Sequence, residues 1–269
     1  MMMNFVHSDL YRLRKSGTLW GMMLFCFAFL LMRYLFEWIT VKGMFGLSPA
    51  ESSVIARSFL DYLAIGSTSG LLLVPTTWFA VWLIASDYKA HSFKSLFATP
   101  HARRDYILSK LALSVFLSAV VIIFMLVCSA FMPVVFGLQF ELVPRVQQII
   151  GWGVLALLVN SMYSAICIFF AILVANETMA WVCNMLLVLG LAGAAVMAGL
   201  NLIPLVLPGS TEIVHAISGC LPVAQCAYMD RGLDVFIQSF DLQHFILVCL
   251  AWIIVSGIAS MVIFRRKAL

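Results

Sequence analysis

Long apolar stretches alternate with short polar segments along this chain. A helix needs roughly 20 mostly apolar residues to cross a hydrocarbon core of about 30 Å. Six stretches qualify, near residues 18–39, 64–85, 108–131, 149–173, 181–203 and 243–264. The pattern predicts an all-α membrane protein in which residues 1–269 form a single transmembrane domain with about six membrane-spanning helices.

The first apolar stretch follows Arg12, Arg14 and Lys15, which is the arrangement found at the start of a signal peptide. The residues that come after it, Arg33-Tyr34-Leu35-Phe36-Glu37, do not form a small-residue cleavage site. We therefore expect the segment to remain as an uncleaved first span.

Composition supports a membrane location. Hydrophobic residues make up 64% of the 269 residues and charged residues only 10%, whereas a typical soluble domain is about half apolar and a quarter charged. The net charge of +4 is modest and does not indicate nucleic-acid binding. Membrane lipid is the partner that composition alone predicts.

The distribution of positive charge predicts the orientation. Basic residues are enriched in cytoplasmic loops, and an N-terminus inside the cell puts most of the 16 basic residues there. The predicted cytoplasmic set is Arg12, Arg14, Lys15, Lys89, Lys94, Arg103, Arg104, Lys110, Arg265, Arg266 and Lys267. Both termini are therefore predicted to be cytoplasmic.

The segment before the first span has a helical pattern. Leu10 and Leu13, together with Val6 and Tyr11, are predicted to share one face, with Asp9, Arg12 and Lys15 elsewhere. One interpretation is an amphipathic helix lying in the membrane interface, with Leu10, Tyr11, Arg12 and Leu13 as its contact residues. The alternative is a basic tail that serves only to orient the first span.

The predicted loop between the second and third spans is unusually rich in aromatic residues. Ser86 or Asp87 can cap a short helix with Tyr88, Phe93, Leu96 and Phe97 on an apolar side and Lys89 and Lys94 on a basic one. Thr99-Pro100 then predicts the start of a second helix that runs into the third span. Exposed aromatics in such a loop indicate contact with lipid or with another protein, and the pattern leaves both open.

This loop resembles the cytoplasmic loop of ABC-2-type transporter permeases, the membrane subunits of bacterial ABC exporters. The matching elements are Asp87-Tyr88-Lys89, Lys94-Ser95-Leu96-Phe97 and Arg103-Arg104-Asp105-Tyr106-Ile107-Leu108-Ser109-Lys110. Asp9-Leu10-Tyr11-Arg12-Leu13 resembles the entry helix of the same family. Ala90-His91-Ser92 and Ser95 depart from the family's usual residues.

The resemblance implies a coupling helix near Asp87–Ala98 that docks on a separate nucleotide-binding subunit, which would carry the ATP and magnesium. Its contact residues would be Asp87, Tyr88, Lys89, Phe93, Lys94, Leu96 and Phe97, followed by the basic residues Arg103, Arg104 and Lys110. It also implies short outer helices between the last two spans, and a second permease copy or a sister permease that completes the path. The function implied is export of an amphipathic substrate, such as an antimicrobial peptide, a lipid or a drug, across the bacterial cytoplasmic membrane.

The chain carries no glycine-rich phosphate-binding loop ending in Gly-Lys-Ser/Thr and no His-Glu-x-x-His pair, so the sequence predicts neither an ATPase nor a metalloenzyme. His215, Cys220 and Cys226 lack the ligand spacing of a metal site, and none is predicted. Because Cys220 and Cys226 fall in a predicted outer loop, a disulfide between them is one possibility.

Small residues four apart, Gly66 and Gly70 in the second predicted span and Gly190 and Ala194 in the fifth, indicate close helix packing within the chain or between subunits. Two functions from other classes stay open. One is a carrier driven by an ion gradient, which the scarcity of titratable groups in the spans disfavours. The other is a membrane immunity or sensor protein that transports nothing.

Overall fold

The structure is a computed structural model that describes residues 2–41, 58–63, 72–89, 100–137, 143–207, 209–234 and 242–266. These residues form ten α-helices and one short 3₁₀ helix, Phe59–Leu63, with no strand among them. The α-helices are α1 Met2–Ser16, α2 Thr18–Val41, α3 Leu73–Lys89, α4 Pro100–Phe136, α5 Val146–Val174, α6 Glu177–Val188, α7 Leu191–Val206, α8 Thr211–Gly219, α9 Pro222–Met229 and α10 Leu242–Arg266.

Four helices are long and apolar enough to cross a membrane: α2, α4, α5 and α10. Helices α6 and α7 give a fifth if they are counted as one span bent by 59°. The protein is therefore a multi-pass membrane protein, as predicted. Six spans remain a prediction, because α3 is described over only 17 residues and residues 64–71 of the second predicted span lie outside the described residues.

Helix α5 forms the centre of the bundle. It is apolar on every side, as expected for a helix surrounded by others, and it packs against α3, α4, α6 and α10. Trp152, Val159 and Met162 are completely buried along it. Helix α2 lies at the periphery, where Trp20, Leu24 and other apolar side chains are exposed.

The predicted helix restart at Pro100 is confirmed. Helix α4 begins at Pro100 and continues without interruption to Phe136, well beyond the predicted span on both sides. Proline suits the first helical position because its missing N–H would have no partner there. The polar first turns of α4 and the third predicted span thus form one continuous helix.

The fifth predicted span is not a continuous helix. It breaks between α6 and α7 at Gly190, whose φ of 73° lies in the left-handed region that favours glycine. Hydropathy gave no indication of the break, since Trp181 to Leu202 carries no charge. Beyond α7, the short helices α8 and α9 occupy the predicted place between the last two spans.

The helix ends assemble at two opposite ends of the bundle. Helix α1, the end of α3, the beginning of α4 and the end of α10 meet at one of them, which we call the N-terminal end. The end of α2, the 3₁₀ helix and the turn after α9 lie at the opposite end.

Candidate functional site

A buried ionic cluster joins three helices at the N-terminal end. It consists of Asp9 and Arg12 from α1, Asp87 from the last turn of α3, and Tyr106 and Lys110 from the first turns of α4. We refer to these five residues as the ionic cluster. Asp9 and Asp87 are buried, and Lys110 is only 1% exposed.

Lys110 is the centre of the ionic cluster. Its Nζ lies 2.7 Å from Oδ2 of Asp9 and 2.6 Å from Oδ2 of Asp87. The ammonium also lies 4.9 Å from the centroid of the Tyr106 ring. A buried lysine is stable only when its charge is paired, and here one ammonium pairs with carboxylates from two different helices.

Arg12 makes the second link between α1 and α3. Its guanidinium donates to Oδ1 of Asp87 at 2.5 Å and to the Ser86 hydroxyl at 2.9 Å, and it lies 3.4 Å from Oδ1 of Asp9. The planar guanidinium therefore binds the end of α3 through two hydrogen bonds. Because Arg12 is about one-third exposed, water weakens this link relative to those of Lys110.

Aromatic rings extend the ionic cluster to a fourth helix. The Tyr106 hydroxyl donates to Oδ2 of Asp87 at 2.8 Å, while its ring stacks on Phe264 of α10, with centroids 5.4 Å apart and planes 9° apart. Phe5 of α1 meets the same ring edge-on at 6.2 Å. Tyr106 thus connects α1, α3, α4 and α10.

The two carboxyl groups experience opposite electrostatic environments. Burial raises the pKa of Asp9, and Lys110 offsets that effect only in part. Burial also acts to raise the pKa of Asp87, but Lys110, Arg12 and Tyr106 together outweigh it and lower that pKa below its ordinary value. Asp87 lies near the C-terminal end of its helix, where the helix dipole disfavours a negative charge, so these donors are what keep it ionised.

The arrangement of the ionic cluster is suited to holding helices together. Two aspartates and two cations balance in charge, and three of the four carboxylate oxygens are engaged by donors from other helices. Among the described residues, no group of three His, Cys, Asp or Glu side chains is placed to hold a metal ion. The ionic cluster therefore couples helices through buried charge.

The structure brings together three residues that the sequence assigned to separate features. Arg12 was predicted as part of an interfacial helix, Asp87 as part of a coupling helix and Lys110 as part of a basic segment. Of the other predicted residues, Tyr88 is half-buried, Arg103 is half-buried and Arg104 is exposed. The backbone of Lys89 ends α3, while Phe93, Lys94, Leu96 and Phe97 lie outside the described residues.

The predicted contact residues of α1 differ in their exposure. Leu13 is buried, but Leu10 and Tyr11 are 39% and 66% exposed, and the side chain that shares the buried face with Leu13 is Asp9. The helix packs through this face because Lys110 and Arg12 satisfy the aspartate. Leu10 and Tyr11 are free to contact lipid, as in an interfacial helix.

Sequence reasoning missed Asp9 and Tyr106 as members of a site. Asp9 was placed on the polar face of an amphipathic helix, where an acidic residue normally meets water. A usable signal was present: a lysine ten residues into a helix that continues as an apolar span requires a negative partner. Nothing in the pattern identified which of the nearby acidic residues provides it.

The other predicted residues are placed as follows. Gly190 lies at the helix break, and Ala194 is exposed. Gly66 and Gly70 lie outside the described residues. The close packing in this region belongs to Gly193, where a methyl group would lie 2.8 Å from Cβ of Val223 in α9.

Cys220 and Cys226 are both free thiols in the structure, so the disulfide considered from sequence is not formed. Cys220 is exposed, whereas Cys226 is buried within the bundle. The difference follows from their positions, since Cys220 caps the end of α8 and Cys226 faces inward from the middle of α9.

No model of a known protein family matches this chain, and a search of curated protein sequences gives no match either. The family resemblance therefore remains a prediction from the loop and entry-helix motifs.

Proposed function

We propose that this chain is the permease subunit of an ATP-driven exporter of the bacterial cytoplasmic membrane, with ATP hydrolysed on a separate nucleotide-binding subunit. The observation that carries the proposal is the ionic cluster, which holds both ends of the segment 90–99 on the helices of the bundle. Asp87 lies just before that segment, and Tyr106 and Lys110 lie shortly after it. That segment contains the residues whose pattern resembles a coupling helix.

A force on residues 90–99 would reach four helices at once. Asp87 transmits it to α3, Lys110 to α4, Asp9 and Arg12 to α1, and the stacked Tyr106 ring to α10. Breaking a buried ion pair leaves an unpaired charge and costs several kcal/mol, about 3–5. The four helix ends would therefore move as a unit when the partner subunit closes on ATP.

The exposed surface supports a lipid environment and a second permease. Helix α2 exposes a large share of its apolar side chains, among them Trp20, Leu24, Met32 and Phe36. Such a surface requires either hydrocarbon or another membrane protein against it. We propose that a second copy or a sister permease covers part of this surface and completes a path for an amphipathic substrate.

The decisive experiment is purification of the protein from its native membrane in mild detergent, followed by identification of bound proteins. A nucleotide-binding subunit is expected to co-purify, and its ATPase rate is expected to respond to candidate peptides, lipids or drugs. Replacing Phe93 and Phe97 together by aspartate is expected to abolish both the association and ATP-dependent transport. Failure to recover any such subunit under these conditions would contradict the proposal.

A matched control places the same two charges at the opposite end. Val143 and Val146 are 87% and 70% exposed, so replacing both by aspartate tests whether added negative charge alone weakens the complex. Association is expected to survive in that variant. An immunity or sensor protein that transports nothing would keep its protective activity in the Phe93/Phe97 variant.

One observation favours a second candidate, the carrier driven by an ion gradient. Asp9 is a buried carboxyl with a raised pKa, which is the property expected of a proton-carrying group. The carrier predicts transport in proteoliposomes that contain no ATPase, and loss of that transport in Asp9→Asn. Glu177 is a weaker candidate for this role, since it is exposed in the first turn of α6.

A further inference from the structure

A cavity of about 260 Å³ lies between five helices and is lined by no residue of the ionic cluster. Its walls come from α5, from both sides of the α6–α7 break, from α9 and from α10. Its lining residues include Tyr163, Leu187, Ala192, Val196, Val223 and Trp252. The cavity is separate from the residues on which the proposed function rests.

The cavity exists because of the helix break. At Gly190 the chain turns by 59°, so α7 diverges from α5 and leaves space that a straight helix would fill. Helix α9 then covers this space, with Val223 seated directly on Gly193. Gly190 allows the bend and Gly193 allows α9 to pack over the space, so the cavity follows from the path of the backbone.

The lining offers no free polar side chain to a ligand. Trp252 and Tyr163 carry the only polar side-chain atoms among the lining residues. The Trp252 indole donates to the backbone carbonyl of Cys220 at 2.8 Å, and the Tyr163 hydroxyl lies within hydrogen-bonding reach of the Cys226 thiol. A water molecule needs at least two polar partners to be held in a cavity, and the side chains of this lining do not provide them.

The mouth of the cavity opens on an apolar surface. Val196 lines the cavity and is also 49% exposed, and the neighbouring Leu191 and Leu202 of α7 are 55% and 60% exposed. In a membrane these side chains face hydrocarbon. The cavity is therefore continuous with the acyl-chain region of the membrane. Its volume exceeds the roughly 150 Å³ that suffices to bind benzene.

We propose that this cavity is a binding site for the acyl chain of a membrane lipid, which enters past Val196 and lies between α5, α7 and α9. A bound chain would fill the space created by the bend and hold α9 in place against α7. The lipid is selected by the shape and length of its hydrocarbon chain, because the cavity presents no charge to a headgroup.

The test uses a phospholipid that carries a photoreactive diazirine near the end of one acyl chain. The full-length protein is reconstituted in phosphatidylcholine nanodiscs with this probe, irradiated, and digested for mass spectrometry. Labelling is expected on the segments 163–170, 187–196 and 221–223. Filling the cavity with Ala192→Leu is expected to reduce labelling of these segments about tenfold, with labelling of α2 unchanged.

Ala195→Leu is the matched control, since it is the same substitution in the same helix at an exposed position outside the cavity. It is expected to leave the labelling unchanged. Val196→Phe, which narrows the mouth from a partly exposed site, is a second test in case Ala192→Leu does not fold.

Equal labelling of the wild type, the Ala192→Leu variant and the Val196→Phe variant would overturn the proposal, as would an equal loss in Ala195→Leu. A parallel arm replaces the lipid probe with a small free hydrocarbon that carries a diazirine. Labelling by this free probe alone, without labelling by the phospholipid, would overturn the assignment to a membrane lipid. Neither result depends on whether an ATPase subunit binds the chain.

Discussion

The two ends of the bundle are held together in different ways. At the N-terminal end, buried charges join α1, α3 and α4 within 2.7 Å contacts, and a stacked tyrosine adds α10. At the opposite end, the described contacts include neutral hydrogen bonds and a hydrogen bond from a backbone N–H to a carboxylate. The Tyr34 hydroxyl donates to the carbonyl of Ser129 at 2.9 Å, and Asp61 accepts from the backbone N–H of Ser58 at 2.8 Å.

The difference concerns how each end can move. Separating a buried ion pair costs several kcal/mol and leaves each partner unpaired, so the N-terminal end favours movement of whole helices together. A single neutral hydrogen bond contributes only about 1 kcal/mol net, so each such bond described at the opposite end is weaker than an ion pair of the ionic cluster.

The largest expected effect comes from removing the central cation. Lys110→Met leaves Asp9 and Asp87 without their shared ammonium, and we expect the free energy of unfolding to fall by about 3–5 kcal/mol. Arg104→Met is the control, because Arg104 is exposed two turns earlier on the same helix and is expected to change stability by less than about 0.5 kcal/mol. Urea unfolding in detergent micelles measures both; equal effects would show that the ionic cluster does not hold this end.

A second prediction concerns the opposite end. Gly232 has a φ of 55°, and a methyl group there would collide with the Asp61 side chain. We expect Gly232→Ala to destabilise by about 2–3 kcal/mol, from left-handed strain of about 1–2 kcal/mol plus displacement of the 3₁₀ helix. Gly137→Ala, with a φ of 64° and nothing within 4 Å, isolates the strain and should cost about 1–2 kcal/mol.

If Gly232→Ala and Gly137→Ala prove equally destabilising, the contact between Asp61 and Gly232 does not hold the opposite end. A double variant, Gly232→Ala with Asp61→Ala, separates the two causes. It is expected to recover part of the loss only if the collision is real. Thermal unfolding followed by circular dichroism is sufficient to rank these variants.

Two tyrosines provide a direct comparison between the ends. Tyr106 donates to a carboxylate, and hydrogen bonds to charged groups contribute about 1.5–3 kcal/mol. Tyr34 donates to a carbonyl and lies beside the Ser129 hydroxyl at 2.8 Å, and such neutral bonds contribute about 0.5–1.5 kcal/mol. Tyr106→Phe is therefore expected to be more destabilising than Tyr34→Phe. The reverse order would contradict the view that the charged contacts of the N-terminal end are the stronger ones.

The smallest expected effect separates the two aspartates of the ionic cluster. Because the folded-state pKa of Asp87 is lowered, its ionisation contributes stability that is present above the ordinary pKa of about 3.9 and lost as pH falls through the lowered value. Asp87→Asn should thus be destabilising at pH 7, and the loss should shrink as pH falls below about 3.9 toward the lowered pKa.

Asp9 has a raised pKa, so the pH dependence of its contribution to stability is the opposite. Stability declines as pH rises from about 3.9 to the raised value. Asp9→Asn should then destabilise less than Asp87→Asn at pH 7, because burial opposes the ionisation of Asp9. Thermal unfolding between pH 3 and pH 7 tests both variants, with the exposed Glu212→Gln as the control. A larger loss for Asp9→Asn than for Asp87→Asn at pH 7 would contradict the assigned directions.

The amino-acid sequence by itself determined much of the helical framework. Hydropathy is a local sum over neighbouring residues, so it located α2, α4, α5 and α10, and the preference of proline for the first helical turn located the start of α4 at Pro100. The motif around Asp87 and Lys110 also singled out two residues that the structure places in one cluster. What it could not determine was which charges meet.

Only the tertiary structure decided the pairings and the cavity. Lys110 and Asp9 are 101 residues apart in sequence, and Arg12 and Asp87 are 75 apart. Their contact depends on how α1 lies across the ends of α3 and α4, which no local pattern encodes. The break at Gly190 was hidden for a related reason: an apolar segment has the same hydropathy whether it is straight or bent, and hydropathy does not record the left-handed backbone conformation of Gly190.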